Sequence, residues 1–164
     1  MKPLNKIIGD YTCHLQQGEI QTAYKGILEL IGKLRANFIY NYPRYVIGGI
    51  YQGYMEMTYF SLSTNPLRDE GIKFAIVYLH QKGAFEVWLS ARNRDIAEKY
   101  ESVLSSNSID NSTVHHDNSN PNAIIKCTLT STPDFEDPDS LIFTIEQGVE
   151  KFITTITNLF DARA

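Results

Sequence analysis

Residues 72–89 constrain the fold of this chain more than any other stretch. Two apolar runs, Ile72–Leu79 and residues 85–89, flank the segment His80-Gln81-Lys82-Gly83-Ala84. Short runs rich in β-branched and aromatic residues, parted by a glycine-bearing turn, predict a β-hairpin. Gly83 suits the left-handed position of a three-residue loop with a bulge. That loop pairs His80 with Ala84, Leu79 with Phe85, Tyr78 with Glu86 and Ile76 with Trp88. One face then carries Phe74, Ile76, Tyr78, Glu86 and Trp88. The other carries Ala75, Val77, Leu79, Phe85, Val87 and Leu89. Both faces are largely apolar, which predicts a sheet covered on both sides, by helices or by a second subunit.

Around this hairpin the hydrophobic period changes repeatedly. Leu4, Ile7, Ile8, Tyr11 and Leu15 recur at helical spacing, Pro3 suits a first turn, and Gly18 reads as a stop. From Glu19 a second stripe follows, with Ile20, Tyr24, Ile27, Leu28, Ile31, Leu34 and Phe38. It should end before Tyr42-Pro43, because the residue ahead of proline is pushed out of the helical region. These two helices predict an αα-hairpin. Residues 45–47 fit either a short strand or a last helical turn, with Gly48 and Gly49 leaving both open. Residues 54–62 alternate as a strand, and Thr64-Asn65-Pro66 supplies loop chemistry. After the hairpin, Asn93 is placed to cap a helix bearing Ile96, Tyr100, Val103 and Leu104. Residues 105–122 are almost wholly polar and read as a surface loop, and residues 123–129 as a last strand. Asp137-Pro138 opens a long C-terminal helix striped by Leu141, Ile145, Val149, Phe152, Ile156, Leu159 and Phe160. The order α-α-β-β-β-α-β-α predicts an α+β fold, one domain over residues 1–164, with an antiparallel sheet of three to five strands covered by helices.

Charge narrows the partners. Fifteen Lys and Arg stand against nineteen Asp and Glu, a formal net charge of -4. Proteins that grip nucleic acid through its phosphates show a basic excess or a dense basic stripe. The cations here are scattered, so a nucleic-acid partner is not expected. Cys13 and Cys127 are the only cysteines, and no C-x-x-C or Cys/His spacing surrounds them, so no structural zinc is expected. No secretory apolar region follows Met1, and no apolar run approaches ~18 residues. The expectation is a cytoplasmic protein without a membrane span. A glycine-rich phosphate loop, Gly-x-Ser-x-Gly and His-Glu-x-x-His are all missing, and no cofactor is expected.

Two carboxylates interrupt apolar strands. Glu86 stands beside Tyr78 and two positions from Trp88, where a carboxylate held among aromatics is a candidate acid, base or ligand for a cationic group. The bland reading is a sheet-edge carboxylate paired with an arginine such as Arg92. Glu56 lies in the strand with Tyr54 and Tyr59. Together with Glu86 and Lys73 it would make a metal-dependent hydrolase site. The α-β-β-β-α-β order resembles the PD-(D/E)XK nuclease fold in topology. That family wants an acid-x-Lys triplet where this chain reads Glu86-Val87-Trp88, and Glu70-Gly71-Ile72-Lys73 has the wrong spacing. His115-His116-Asp117, adjacent in a polar stretch, reads as a solvated loop rather than a metal site, and the acidic stretch over residues 134–139 lacks calcium-loop spacing. No metal ligands are therefore assigned. Ten tyrosines, with Tyr40, Tyr42, Tyr45, Tyr51, Tyr54 and Tyr59 clustered, are the compositional oddity. Tyrosine joins an apolar body to a polar tip, which suits a binding cleft or a subunit interface.

The phrases Tyr51-Gln52-Gly53-Tyr54-Met55-Glu56-Met57-Thr58-Tyr59-Phe60, Phe85-Glu86-Val87-Trp88-Leu89 with Asn93, and Pro133-Asp134-Phe135 resemble a bacterial family of domains of unknown function. The resemblance runs from the second helix to the last. It implies a small stand-alone bacterial protein and no particular activity. The expected function is binding or interaction, through an aromatic-lined cleft or dimer face that takes a small ligand, a protein partner or a second copy of the chain. The candidate cleft residues are Tyr54, Glu56, Tyr59, Lys73, Tyr78, Glu86, Trp88, Arg92 and Asn93. The alternative is the nuclease-like hydrolase using the sheet carboxylates.

Overall fold

A computed structural model describes residues 1–105, 112–114 and 123–161. Its elements are α1 (Leu4–Gln17), α2 (Glu19–Asn41), β1 (Val46–Tyr51), β2 (Met57–Ser63), α3 (Asn65–Asp69), β3 (Ile72–Leu79), β4 (Ala84–Ala91), α4 (Arg94–Ser105), β5 (Ser112–Val114), β6 (Ala123–Thr130) and α5 (Pro138–Asp161). The fold is α+β. Every strand pairing is antiparallel, in the order β1-β2-β3-β4-β6-β5, with five long strands and the three-residue β5 at one edge. Residues 45–47 resolve as strand from Val46. The strand placed at residues 54–62 begins at Met57, so Tyr54, Met55 and Glu56 belong to the turn before it. One short helix, α3, interrupts the expected loop, with Pro66 in its first turn. The polar stretch 105–122, including His115, His116 and Asp117, lies almost wholly outside the described residues.

The hairpin forms where its sequence predicts, with a different register. Leu79 pairs with Ala84, Tyr78 with Phe85, Val77 with Glu86, Ile76 with Val87 and Ala75 with Trp88. The loop therefore holds four residues, closed by the Gly83 N–H donating to Leu79 O at 2.8 Å, with Gly83 at φ +62°. Gly83 is left-handed as expected. One extra loop residue moves every β4 side chain to the opposite face from that assigned by the three-residue loop. Phe85, Val87 and Leu89 thus join Phe74, Ile76 and Tyr78, while Glu86 and Trp88 join Ala75 and Val77.

The first of these faces is the core. Leu30, Ile31, Leu34 and Phe38 of α2 pack on it, as do Leu141, Ile145, Val149, Phe152 and Ile156 of α5. Phe74 meets Phe152 edge-on at 5.9 Å. Leu67 of α3 and Ala97 and Tyr100 of α4 extend the same cluster, so these four helices share one side of the sheet. Among the described residues the opposite face carries a smaller cluster of Ala75, Val77, Trp88 and Ala123, edged by Met57, Tyr59 and Leu79. Among the described residues, helices cover one face rather than both.

The two N-terminal helices do not fold back on each other. Gly18 alone separates them, at φ +81°, and α1 buries none of its residues. An αα-hairpin needs a loop of about two to five residues. A single left-handed glycine makes an elbow instead, and the apolar stripe of α1 faces solvent. No helix among the described residues is long and apolar enough to cross a membrane.

Candidate functional site

Alternation along β2, β3 and β4 sends Met57, Tyr59, Lys73, Ala75, Val77, Trp88 and Ser90 to the face that the described helices leave open. A cleft of about 570 Å³ lies there, bounded by Tyr51 and Tyr59 on one side and by Arg68, Lys73 and Arg92 at one end. The register gives the cleft its polarity. Val77 and Ala75 stand opposite Tyr59 and Ser61, and two residues further along the strand Lys73 stands opposite Ser90. Tyr51 and Tyr59 are cross-strand partners with ring centroids 5.0 Å apart. One end is therefore aromatic and apolar, the other cationic.

The cations are brought together by the turn into β3. Gly71 adopts φ +79°, a backbone conformation that side-chain-bearing residues resist. A Cβ at this position would also stand 2.6 Å from Ile96 Cδ1. Gly71 O accepts the Arg92 N–H at 2.7 Å, and Arg92 Nη2 donates to Arg68 O at 3.2 Å. Arg68, Lys73 and Arg92 are all exposed, and none forms an ion pair with an acid among the described residues. No carboxylate lines the cleft among those residues. Three unopposed cations beside paired aromatic rings suit an anion that carries a flat apolar body.

Of the predicted cleft residues, Tyr59, Lys73, Trp88 and Arg92 meet here. Glu86 is the buried neighbour rather than a lining group. Its Oε1 accepts the Trp88 indole N–H at 2.8 Å, and its Oε2 lies 3.5 Å from Lys82 Nζ. Its cation is thus Lys82, where Arg92 was expected, and its role is to fix the indole. Lys126 Nζ sits 4.0 Å above the Trp88 ring. Glu56 is exposed in the β1–β2 turn, its carbonyl accepting the His80 N–H at 3.0 Å. It stands three residues beyond Tyr59 and two strands from Glu86, roughly 14 Å at ordinary sheet spacings. The hydrolase reading required these two carboxylates to share an ion, and the sheet holds them apart. No group of three metal-ligating side chains occurs among the described residues. Asn93 caps α4, its Oδ1 accepting the Ile96 N–H at 3.0 Å, and Tyr54 is 91% exposed at the turn.

Tyr78 faces the core, contrary to its assignment beside Glu86 and Trp88, because the register moved those two away. It packs edge-on to His80 at 5.0 Å and tilted on Phe85 at 4.9 Å, and burial raises its phenol pKa. His80 belongs to a site that sequence reasoning missed. Tyr24 of α2 stacks on its ring at 5.4 Å, and its Nε2 lies 2.9 Å from Thr58 Oγ1. Thr58 Oγ1 itself donates to Gln52 O at 2.6 Å, so the assigned tautomer has His80 Nε2–H donating to Thr58. Burial lowers the His80 pKa.

The tyrosine cluster divides three ways. Tyr51 and Tyr59 flank the cleft, and Tyr40 and Tyr54 are solvent-exposed. Tyr42 and Tyr45 stack beside Phe38, where the Tyr45 hydroxyl donates to Glu150 and Arg44 Nη2 reaches Glu150 Oε2 at 2.7 Å. Burial, reinforced by that bond to Glu150, pushes the Tyr45 pKa up to about 12. Arg68 was also missed, since its approach to the cleft depends on the one-turn helix α3.

Residues 4–160 match the family described as Domain of unknown function (DUF7000), and the chain belongs to that family. No curated protein and no solved structure matches the chain.

Proposed function

We propose that the protein binds a small organic anion with a flat ring in the cleft on the open face of its sheet. The observation that carries this reading is the gathering of Arg68, Lys73 and Arg92, unopposed by any carboxylate among the described residues, at one end of an aromatic cleft. A volume of about 570 Å³ falls within the range of small-molecule sites, roughly 300–1,000 Å³. In this reading the carboxylate or phosphate of the ligand lies against the cations, while its ring lies toward Tyr51, Tyr59 and Val77. The same reading takes the chain as one domain of a bacterial protein of the cytoplasm. Two free cysteines, Cys13 and Cys127, support a reducing compartment.

Trp88 is the only tryptophan and lines the cleft, so its emission reports directly on occupancy. The test titrates the protein with adenosine monophosphate, salicylate and inorganic phosphate, with adenosine and benzyl alcohol as uncharged controls. The expected result is that one or both ring-bearing anions perturb Trp88 emission and raise the melting temperature. Lys73→Ala and Arg92→Ala alter exposed side chains and should each weaken that binding by about tenfold or more, the usual worth of a charged hydrogen bond. The proposal fails if the uncharged controls bind as well as the anions, or if neither substitution weakens the response.

A further inference from the structure

We propose that α1 docks, with its apolar stripe inward, into an apolar groove on a second copy of this chain, and that the second copy returns the same contact. The stripe is Leu4, Ile7, Ile8 and Tyr11, each between 47% and 69% exposed. A helix that buries nothing of its own gains little from propensity alone, because most helical stability comes from packing an apolar face. Polar positions on α1 do not explain it as a solvated arm either. Lys6 of α1 and Lys2 just ahead of it both pair with Asp10, which leaves no basic face of the kind that lies on membranes.

The receiving surface lies on the same molecule. A groove of about 650 Å³ runs along the first turns of α2, lined by Ile20, Tyr24 and Leu28 and closed by Tyr54 and Met55 of the β1–β2 turn. Met55 holds φ +67°, a left-handed conformation costly for a residue with a side chain. With Tyr54, it presents an apolar wall that nothing among the described residues covers. Leu15, at the C-terminal end of α1, forms the near edge of the groove. Stripe and groove therefore meet at the Gly18 elbow. Two copies related by a twofold axis can place each stripe in the other's groove, the closed arrangement that isologous dimers require. The exposed parts of Leu4, Ile7, Ile8, Tyr11, Ile20, Tyr54 and Met55 come to roughly 800 Å² per copy, the share each partner contributes to a standard interface. One chain thus supplies both halves of the contact in equal number, which favours a second copy over an unrelated partner.

Sedimentation velocity tests this. The expected result is a dimer at about 10 µM, since standard interfaces hold with micromolar affinity or better. Ile7→Glu with Ile8→Glu, and separately Met55→Glu, should weaken dimerisation by about 100-fold or more, because each buries an unpaired charge. Circular dichroism and Trp88 emission should stay unchanged, since neither site belongs to the core. Phe143→Glu alters an exposed apolar residue of α5, 62% exposed, and should leave the dimer intact. In a Cys13→Ser background, Tyr11→Cys protein mixed with Met55→Cys protein should yield a mixed disulfide. A monomer at about 100 µM, a dimer indifferent to Ile7→Glu with Ile8→Glu, one broken by Phe143→Glu, or no mixed disulfide would each overturn the proposal.

Discussion

The two faces of the sheet are made from alternate residues of the same strands, and they differ in what they are built to meet. On the helix-covered face, Phe60, Phe74, Ile76, Phe85, Val87 and Leu89 are all 2% exposed or less and belong to the cluster shared with α2 and α5. On the other face the buried cluster is smaller, with Ala75, Val77, Trp88 and Ala123 edged by the half-buried Met57, Tyr59 and Leu79. Ala75 and Val77 are small, and Trp88 beside Ala75 is the one large buried side chain of that cluster. Reading the first face as stability and the second as recognition makes separable demands on substitutions.

The largest contrast is between two aromatic residues on neighbouring strands but opposite faces. Phe74→Ala should cost about 3–5 kcal/mol, because it empties a close-packed site against Phe152 and leaves a cavity. Tyr59→Ala removes a half-buried ring that borders an open cleft, where no enclosed cavity is created. Its cost should be under ~1 kcal/mol, as for substitutions outside the core. Urea unfolding monitored by circular dichroism measures both. Comparable losses would mean that the open face is as tightly covered as the core face, and the comparison would break.

A smaller effect separates the two roles available to Glu86. Its carboxylate holds the indole of Trp88, so what matters is an acceptor at this point rather than a charge. Glu86→Gln keeps an acceptor and should cost less than ~1 kcal/mol. Glu86→Leu strands the indole N–H and should cost about 1–3 kcal/mol, the penalty of an unsatisfied buried donor. Lys82→Ala removes the ion-pair partner, which is 68% exposed, and should be nearly silent. Unfolding midpoints and the Trp88 emission maximum check the set. If Glu86→Gln proved as damaging as Glu86→Leu, the charge itself would be essential, and Glu86 would return as a site residue.

Much of this architecture could be read in advance, and the failures share a cause. Gly18, Pro43 and Asp137-Pro138 punctuate helices through local backbone chemistry, and each element ends where those residues require. The hairpin was equally visible, with Gly83 in its left-handed place. Its register was not, because a three-residue and a four-residue loop both place Gly83 just before the second strand. That one residue decided whether Tyr78 or Val77 shared a face with Glu86 and Trp88. Lys73, Tyr59, Trp88 and Arg92 could be picked out as unusual, yet Arg68 and Tyr51 could not be joined to them. Their meeting depends on the turn at Gly71 and on the β1–β2 pairing, both of which arise from contacts distant in sequence. The elbow at Gly18 shows the same limit. Helical spacing reveals an apolar stripe but not what the stripe will touch.

The smallest effect lies at His80, where the hairpin loop meets α2, and its sign follows from burial. The ring lies between Tyr24 and Tyr78 and donates to Thr58, with no carboxylate bonded to it among the described residues. Desolvation holds its pKa below 6.5, the value expected in the unfolded chain. Between those two values the unfolded state binds more protons than the folded one. Stability from this site is therefore complete above pH 6.5 and is lost as pH falls through the folded-state value. Carboxylates impose their own slope in acid, so the informative quantity is a difference. His80→Gln keeps a donor for Thr58 but cannot titrate. Urea midpoints of the two proteins at pH 7.5 and pH 5.5 should show a steeper fall for the natural chain. Parallel slopes would mean that imidazolium is tolerated between the two tyrosines. Tyr24 would then cover a ring open to water, and the joint between α2 and the hairpin would be solvated rather than packed.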